Sequence, residues 1–515
     1  MIDKKRCKLI LFSIILLSLA LRVYKLDSKV IWYDEADSVA SATRELTFFQ
    51  DKEVVYKPLY FLLLKAWIGV FGVSAVCLRF LSVILGVLSV FFMYLLCKEV
   101  FEKEGIALLS SFFLAISPFQ VYQSQQVRQF TLLTLLSLVS FYFLVLYYKH
   151  GKIKFLALNF FSNILLLATY PIAAFVLLSQ ILIVLFRQNA YRKAWLALTC
   201  AFFGFYSLGF LFSSLNISKE MTWWVIKPGL STIRDMFSAF VTGGDNYGRG
   251  YSSLYKGVYS EFRFLKIIDI IGLMVAVPLF IKGILLSARG DFIRKGLLFY
   301  FFLTLTGAFL VSYSIVSIFV VKNLAIIMPV FIFTVVYGLF SLRPKERIFS
   351  ALLLSSVSVY SLIAVYNLNL DINWKIPAEF IKQNGRRGDA VVLATDKEVA
   401  AFLYYFRPQN KGVLSDIGYW GKLNDKRYQD VFDENGYRFF LIKENRDNSR
   451  TQLQSDFLGK MKAIGDNKRI WLLVSDWVLK DERSFMKNSL RDQGREVSLE
   501  TREQGLNMLL FVSKN

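Results

Sequence analysis

The sequence predicts a polytopic α-helical membrane protein that ends in a soluble α/β domain, and three observations predict it. Apolar residues make up 55% of the 515-residue chain and aromatic residues 16%, above the roughly 45–50% apolar share of soluble domains. Apolar stretches long enough to cross a bilayer recur over the first 370 residues, each needing about 20 residues. After about residue 371 charges become frequent and short β-like runs replace the long apolar ones. Lys and Arg number 61 against 39 Asp and Glu, a net charge of +22, yet charged residues are only 19% of the chain. On such a chain positive charge is expected in cytoplasmic loops, so the basic excess does not point to nucleic acid.

The first span is expected from Leu9 to about Leu26, behind Lys4, Lys5, Arg6 and Lys8. No small-residue cleavage site follows, so it reads as a retained span with a cytoplasmic N-terminus. Further spans are expected over Ala75–Leu96, Ile106–Phe119, Phe130–Leu146, Phe155–Thr169, Ile172–Phe186, Ala194–Phe212, Leu265–Leu286, Gly296–Ser314, Leu324–Leu339 and Phe349–Tyr366. That makes about eleven. Alternating crossings put Lys98 and Lys103, then Lys149, Lys152 and Lys154, then Arg187, Arg192 and Lys193 inside. Lys282, Arg289, Arg294 and Lys295, and finally Arg343, Lys345 and Arg347, follow on the same side. The short outer loops, Gln120–Val127 and Tyr170-Pro171, carry no Lys or Arg, as the positive-inside rule requires. Cys7, Cys77, Cys97 and Cys200 lie in or beside apolar segments and suggest neither a disulfide framework nor a metal site. The single histidine, His150, sits in a basic loop and excludes His-rich metal chemistry.

With an odd span count, three segments lie outside the cytoplasm: the loops at about 27–74 and 213–264, and the domain 371–515. Within that domain Ala390–Ala394, Arg438–Ile442, Ile470–Val474 and Met508–Val512 read as strands with helical patterns between several of them. It carries no Gly-rich phosphate loop or nucleophile elbow, and the plain expectation is an accessory or acceptor-handling domain. The Gly-rich stretch Gly243–Gly250 follows no strand and reads as a loop over the outer face.

The first outer loop opens Ile31-Trp32-Tyr33-Asp34-Glu35-Ala36-Asp37-Ser38. Carboxylates beside hydrocarbon are costly, so a functional site is the default reading, against a solvated interfacial loop or a simple helix N-cap. Val55-Tyr56-Lys57-Pro58-Leu59-Tyr60 then starts an apolar helix with a proline in its first turn. Farther on, Ser117–Phe130 is a polar run with Arg128 at a helix start. A cation there opposes the helix dipole; a bound phosphate would remove the conflict, whereas snorkelling to head groups is the plain alternative.

In this order, WYDEA, PLYFLLLKAW, LRFLSVILGVLSV and SPFQVYQSQQVRQF resemble the polyprenyl-phosphate-dependent C-type (GT-C) glycosyltransferases. They resemble especially the family 39 branch, kin to protein O-mannosyltransferases and lipid A aminoarabinose transferases. The resemblance covers roughly residues 1–370. It implies a GT-C-like fold, with a transmembrane catalytic domain over 1–370 and inverting sugar transfer at the outer face of the cytoplasmic membrane. Its base falls on Asp34, with Glu35 beside it. Histidine often precedes the proline in this branch, and Lys57 stands there, as in the aminoarabinose relatives. Gln126 replaces a frequent glutamate, and Lys322-Asn323 replaces a common Arg-Tyr pair. The resemblance implies no metal for the family-39-like branch, although some C-type relatives admit a divalent ion, and it implies no other cofactor.

The residues fit that chemistry on their own. A leaving lipid phosphate needs cations in a dry site, and Lys57, Arg128 and Lys322 are those available on the outer side. An acceptor hydroxyl needs a positioned carboxylate, the part given to Asp34. Trp32, Tyr33, Tyr56, Tyr60, Gln126, Trp223 and Trp224 are candidates for sugar or lipid contacts; interfacial belt positions would explain the aromatic ones equally. The expected partners are the bilayer, a polyprenyl-phosphate sugar, with undecaprenyl phosphate as carrier in a bacterium, and a glycan, lipid or protein acceptor. A transporter or flippase of lipid-linked sugars is the competing class, but transporters place charges near the midplane, and here they gather at the outer ends.

Overall fold

The computed structural model describes residues 3–43, 57–186, 191–214, 227–243, 264–314, 318–367, 373–394, 399–406, 431–442, 450–464, 469–475, 480–503 and 506–513. The chain forms two compact units that interleave along the sequence. One comprises Met1–Leu26, Thr47–Leu63 and Arg79–Leu368, the other Asp27–Leu46, Leu64–Leu78 and Asn369–Asn515.

The first unit is helical, and each expected span falls on a helix. Six helices are long and apolar enough to cross a membrane: Ala75–Phe101, Phe130–His150, Leu265–Ala288, Phe292–Ser314, Val321–Leu339 and Pro344–Asn367. A seventh crossing arises if the bent pair Glu104–Ile116 and Pro118–Ser124 counts as one. Ile153–Leu167 and Pro171–Leu185 are apolar but shorter, and Lys4–Val23 carries basic residues at both ends. Among the described residues six helices, or seven with the bent pair taken as one, thus have the length and composition to cross a membrane, as a multi-pass helical membrane protein requires.

Glycine sets one helix crossing in this unit. A Cβ on Gly283 would lie 2.0 Å from the Thr334 carbonyl oxygen, and one on Gly338 would lie 2.1 Å from that of Leu279. The helices Leu265–Ala288 and Met328–Leu339 thus touch backbone to backbone, the approach that small residues allow where lipid removes any hydrophobic drive to pack. Phe237, Phe240, Phe280 and Phe331 fill the space beside them, with ring centroids 5.0–5.8 Å apart. Gly338→Leu should accordingly lower the melting temperature of the detergent-purified protein, because backbone cannot move aside as a flexible side chain would. Overpacking usually costs about 1–3 kcal/mol, and an unchanged melting temperature would show that the crossing is not tight.

The expected outer loop Gln120–Val127 is not a loop at its start. The helix Glu104–Ile116 ends at Ser117-Pro118, where the axis turns by 59° into the short helix Pro118–Ser124. Proline has no amide to continue the ladder, and Ser117 Oγ accepts the Gln120 amide at 3.3 Å, capping the new helix. Every residue from Ser117 to Phe130 is buried. The carbonyls freed at the break find a donor in Arg22, whose guanidinium reaches Ala115 O at 3.0 Å and Leu114 O at 3.3 Å. It also donates to Ser18 Oγ at 2.8 Å and Ser124 Oγ at 3.2 Å. A charge inside the first span, passed over in the sequence, is thus used to satisfy helix-end carbonyls.

The second unit holds a six-stranded mixed sheet in the order β2-β3-β1-β4-β6-β5. Its strands are β1 (Ala390–Leu393), β2 (Val431–Glu434), β3 (Tyr437–Leu441), β4 (Ile470–Ser475), β5 (Arg495–Glu503) and β6 (Leu506–Ser513). The central β1 pairs parallel with β3 and β4 and is buried throughout, which is why it reads as a continuous apolar run. Asn435 and Gly436, with φ of 51° and 83°, close the β2–β3 hairpin in the two-residue turn that suits the strand twist. Val392, Phe440, Leu472 and Phe511 form a core with Phe457, Met461, Met486 and Leu490 from the helices Arg450–Ile464 and Lys480–Asp492.

Candidate functional site

Within the first unit the three expected phosphate cations gather around one aromatic pair. Phe130 and Tyr170 meet edge to face at 6.0 Å between centroids. Arg128 Cζ lies 6.0 Å and Lys322 Nζ 5.9 Å from the Phe130 centroid, while Lys57 Nζ lies 5.7 Å from that of Tyr170 and 5.9 Å from that of Phe61. Residues far apart in the chain arrive here for local reasons. Lys57 precedes Pro58, and the Leu59 amide donates to the Ala168 carbonyl at 3.0 Å, fixing the start of the helix Pro58–Phe71 beside Tyr170. Arg128 leads into the helix Phe130–His150, and Lys322 rides on a 3-10 segment, Val321–Ile327, packed against it. Lys57 and Arg128 are each only 8% exposed, so the snorkelling reading, which needs the head group in water, does not describe Arg128. Cation–π contacts contribute about 0.5–2 kcal/mol each and help to hold the charges in place.

Sequence reading missed Gln129, which sits between Arg128 and Phe130. It is fully buried, occupies the N-cap of Phe130–His150 without a capping bond from its side chain, and neither Oε1 nor Nε2 has a hydrogen-bond partner among the described residues. A buried amide left so costs about 1–3 kcal/mol, and such groups point to a water or ligand nearby. Asn323 Oδ1, beside Lys322, is buried and without a partner in the same way. For Gln129 the signal in the sequence was the polar density of the run Ser117–Phe130 itself. Arg79 was also missed; it is buried and donates to Leu26 O at 2.9 Å, fixing the exit of the first helix.

The second unit carries the acidic helix Tyr33–Thr43. It starts two residues earlier than a cap at Asp34 would require, so Asp34 lies in the first turn and its carbonyl accepts Ser38 Oγ at 2.8 Å. Glu35 is fully buried and its Oε2 lies 3.5 Å from the Trp32 amide, a reach back to the helix start. Asp34 is half-buried. The two neighbouring carboxylates therefore differ in setting: Glu35 is fully buried and turned to the helix end, and Asp34 is the less buried of the two. Trp32 and Tyr33 are half-buried beside them. In the first unit Tyr60 is buried against Phe61, at 5.9 Å between centroids, and Gln126 is buried. Tyr56, Trp223 and Trp224 lie outside the described residues. Among the described residues no three His, Cys, Asp or Glu side chains converge as a metal site would need.

Comparison with known proteins bears on this arrangement. Residues 56–213 match the family model for dolichyl-phosphate-mannose-protein mannosyltransferases. The structure is similar to ArnT from Cupriavidus metallidurans bound to undecaprenyl phosphate, with a TM-score of 0.57 at 12% identity over 97% of both chains. This is a GT-C fold, related to that of the family 39 glycosyltransferases. The GT-C fold is also seen in the archaeal oligosaccharyltransferase AglB from Archaeoglobus fulgidus, in complex with an inhibitory peptide and a dolichol-phosphate. That likeness has a TM-score of 0.51 at 13% identity, over 98% of this chain and 74% of that one. A search of curated proteins finds no match. The stretch that matches the family model runs from just before Lys57 through Arg128 to Tyr170 and beyond, and so takes in most of the cation cluster of this GT-C fold.

Proposed function

We propose that the protein is a membrane glycosyltransferase that moves a sugar from a polyprenyl-phosphate donor to an acceptor hydroxyl at the outer face of the cytoplasmic membrane. The observation that carries this reading is the gathering of Lys57, Arg128 and Lys322 around the Phe130–Tyr170 pair. Three cations at one place suit a phosphate, and Arg128 supplies a planar fork for two of its oxygens. The similar structures in complex with undecaprenyl phosphate and with a dolichol-phosphate support a lipid phosphate as that anion. In the proposed reaction the acceptor oxygen attacks the anomeric carbon and its proton passes to Asp34. The bond to the phosphate oxygen breaks, its electrons stay on that oxygen, and polyprenyl phosphate leaves. One direct displacement inverts the anomeric centre. A retaining route would need a second carboxylate as nucleophile, and the turn of Glu35 toward the Trp32 amide argues against that part for it.

Incubating the purified protein with labelled polyprenyl-phosphate sugars and a membrane extract, then following the label by mass analysis, tests the reading. Label found on a new hydroxyl, with release of polyprenyl phosphate, is expected. Movement of intact donor between leaflets of proteoliposomes without transfer would favour a flippase instead.

The basic loops give the proposal an orientation that can be checked. In a background lacking Cys77 and Cys200, the two cysteines that are not buried, Asn488→Cys should react with a membrane-impermeant thiol reagent outside intact spheroplasts. Arg343→Cys should react only after lysis. The reverse pattern would put the acceptor chemistry on the cytoplasmic side.

A further inference from the structure

We infer that Tyr405 is a positioning residue for the Asp34-bearing helix, so that the C-terminal sheet domain acts as the mount of the proposed base. The inference rests on the reading of Asp34 as that base. Its evidence lies wholly within the second unit, whose three stretches place Asp27–Leu46 with Asn369–Asn515.

The connection can be followed residue by residue from the sheet outward. Phe402 and Phe406, on one face of the short helix Val399–Phe406, pack on Phe439 of β3 at 5.8 and 5.3 Å between centroids. Lys382 Nζ, from the helix Lys375–Asn384, donates to the Tyr405 carbonyl at 2.6 Å, fixing the end of Val399–Phe406 from a second side. The helix so held presents two tyrosines. Tyr405 Oη accepts the backbone amide of Ile31, three residues before Asp34. Tyr404 Oη donates to the carbonyl of Val73 at 2.8 Å, just past the end of Pro58–Phe71. Val399–Phe406 also packs against Tyr33–Thr43 itself.

The Ile31 amide is a sensitive place to hold. Ile31 is fully buried, and an amide there without a partner would be costly. It lies ahead of the first helical turn, so its position sets where Tyr33–Thr43 begins and in which direction the first-turn side chains leave the axis. Val39 and the small Ala36, Ala40 and Ala42 are buried on that helix, which packs against Val399–Phe406, so its entry point and its packing face are both held by the same short helix. A general base must stand within hydrogen-bond reach of the proton it takes, so a small shift at Ile31 is felt at Asp34.

Tyr405→Phe in the full-length purified protein tests this, because it removes the hydroxyl and keeps the ring. Hydrogen exchange followed by mass spectrometry should show faster exchange in peptides covering 31–43, with peptides covering 128–150 unchanged. With a donor the wild type accepts, kcat should fall on the order of tenfold, inside the roughly 10²-fold that a misplacement of about 1 Å can cost. The KM for donor should stay constant, since the cations assigned to the phosphate are untouched. Unchanged exchange over 31–43 would overturn the inference whatever the turnover, and so would faster exchange with kcat unchanged or with donor KM rising in step. Faster exchange in the variant, where the wild type itself transfers no sugar to any acceptor, would instead remove the catalytic reading of Asp34, leaving the Tyr405–Ile31 coupling as a structural link alone.

Discussion

Asp34→Asn should lower sugar transfer by about 10²–10⁴-fold, the usual loss when a general base is removed, while donor binding and the amount of folded protein stay close to those of the wild type. Asparagine keeps the volume and one acceptor oxygen, and the hydrogen bond from Ser38 Oγ to the Asp34 carbonyl belongs to the backbone and survives the change. Through the helix dipole, the loss of one negative charge from the first turn of Tyr33–Thr43 costs about 0.3–1 kcal/mol. That is too small to explain a thousandfold effect. Glu35→Gln should behave in the opposite way. Its carboxylate is fully buried and turned to the Trp32 amide, so its loss should show first in thermal stability and only secondarily in turnover. Turnover with a defined donor and acceptor, normalised to monodisperse protein, separates the two. Near wild-type rates in Asp34→Asn, with a severe loss in Glu35→Gln at unchanged stability, would move the base to Glu35.

How much of this was legible in the sequence depended on whether a signal was local. Four strands, β1, β3, β4 and β6, stand at the four apolar runs read as strands, because buried central strands are apolar on both faces. β5 escaped because Arg495–Glu503 is charge-rich and lies at a sheet edge, where polar residues protect against pairing with other chains. β2 escaped as well, although the Asn435-Gly436 turn that closes its hairpin is among the plainer short-range signals. The bend at Ser117-Pro118 fell inside a stretch taken partly as span and partly as loop; hydropathy windows average over such a break, and the proline was the readable clue. Arg22 and Arg79 were passed over because a charge near the end of an apolar run looks like an interfacial anchor. Their use, donation to carbonyls of helix ends distant in the chain, depends on tertiary packing. The same limit applied to the site. Lys57, Arg128 and Lys322 could be named one at a time from residue type and position, but their common aromatic floor, Phe130 with Tyr170, exists only in the folded unit.

That floor gives the second large prediction its form. Lys57→Ala and Arg128→Ala should each reduce turnover on the order of 10²-fold, about the loss seen when a single oxyanion donor is removed, because charge grows on the leaving phosphate as the glycosidic bond breaks. Lys322, half-buried and 5.9 Å from the centre of the same ring, should show a smaller loss on conversion to alanine, since solvent reaches it and screens its charge. Arg128→Lys should recover part of the activity and no more: the ammonium restores a point charge over Phe130 but cannot offer two parallel N–H groups to two phosphate oxygens. Phe130→Leu is the informative companion. It leaves all three cations in the chain and removes the ring beside Arg128 and Lys322, so turnover should fall through disordered charges while the net charge of the site is unchanged. If instead these residues only anchor the fold, alanine at Lys57 or Arg128 would reduce yield and melting temperature but leave turnover per folded molecule intact. Full specific activity in both variants would remove the phosphate from this cluster. A loss in both that high concentrations of donor restore completely would make them ground-state binding groups, because only a contact strengthened in the transition state lowers kcat.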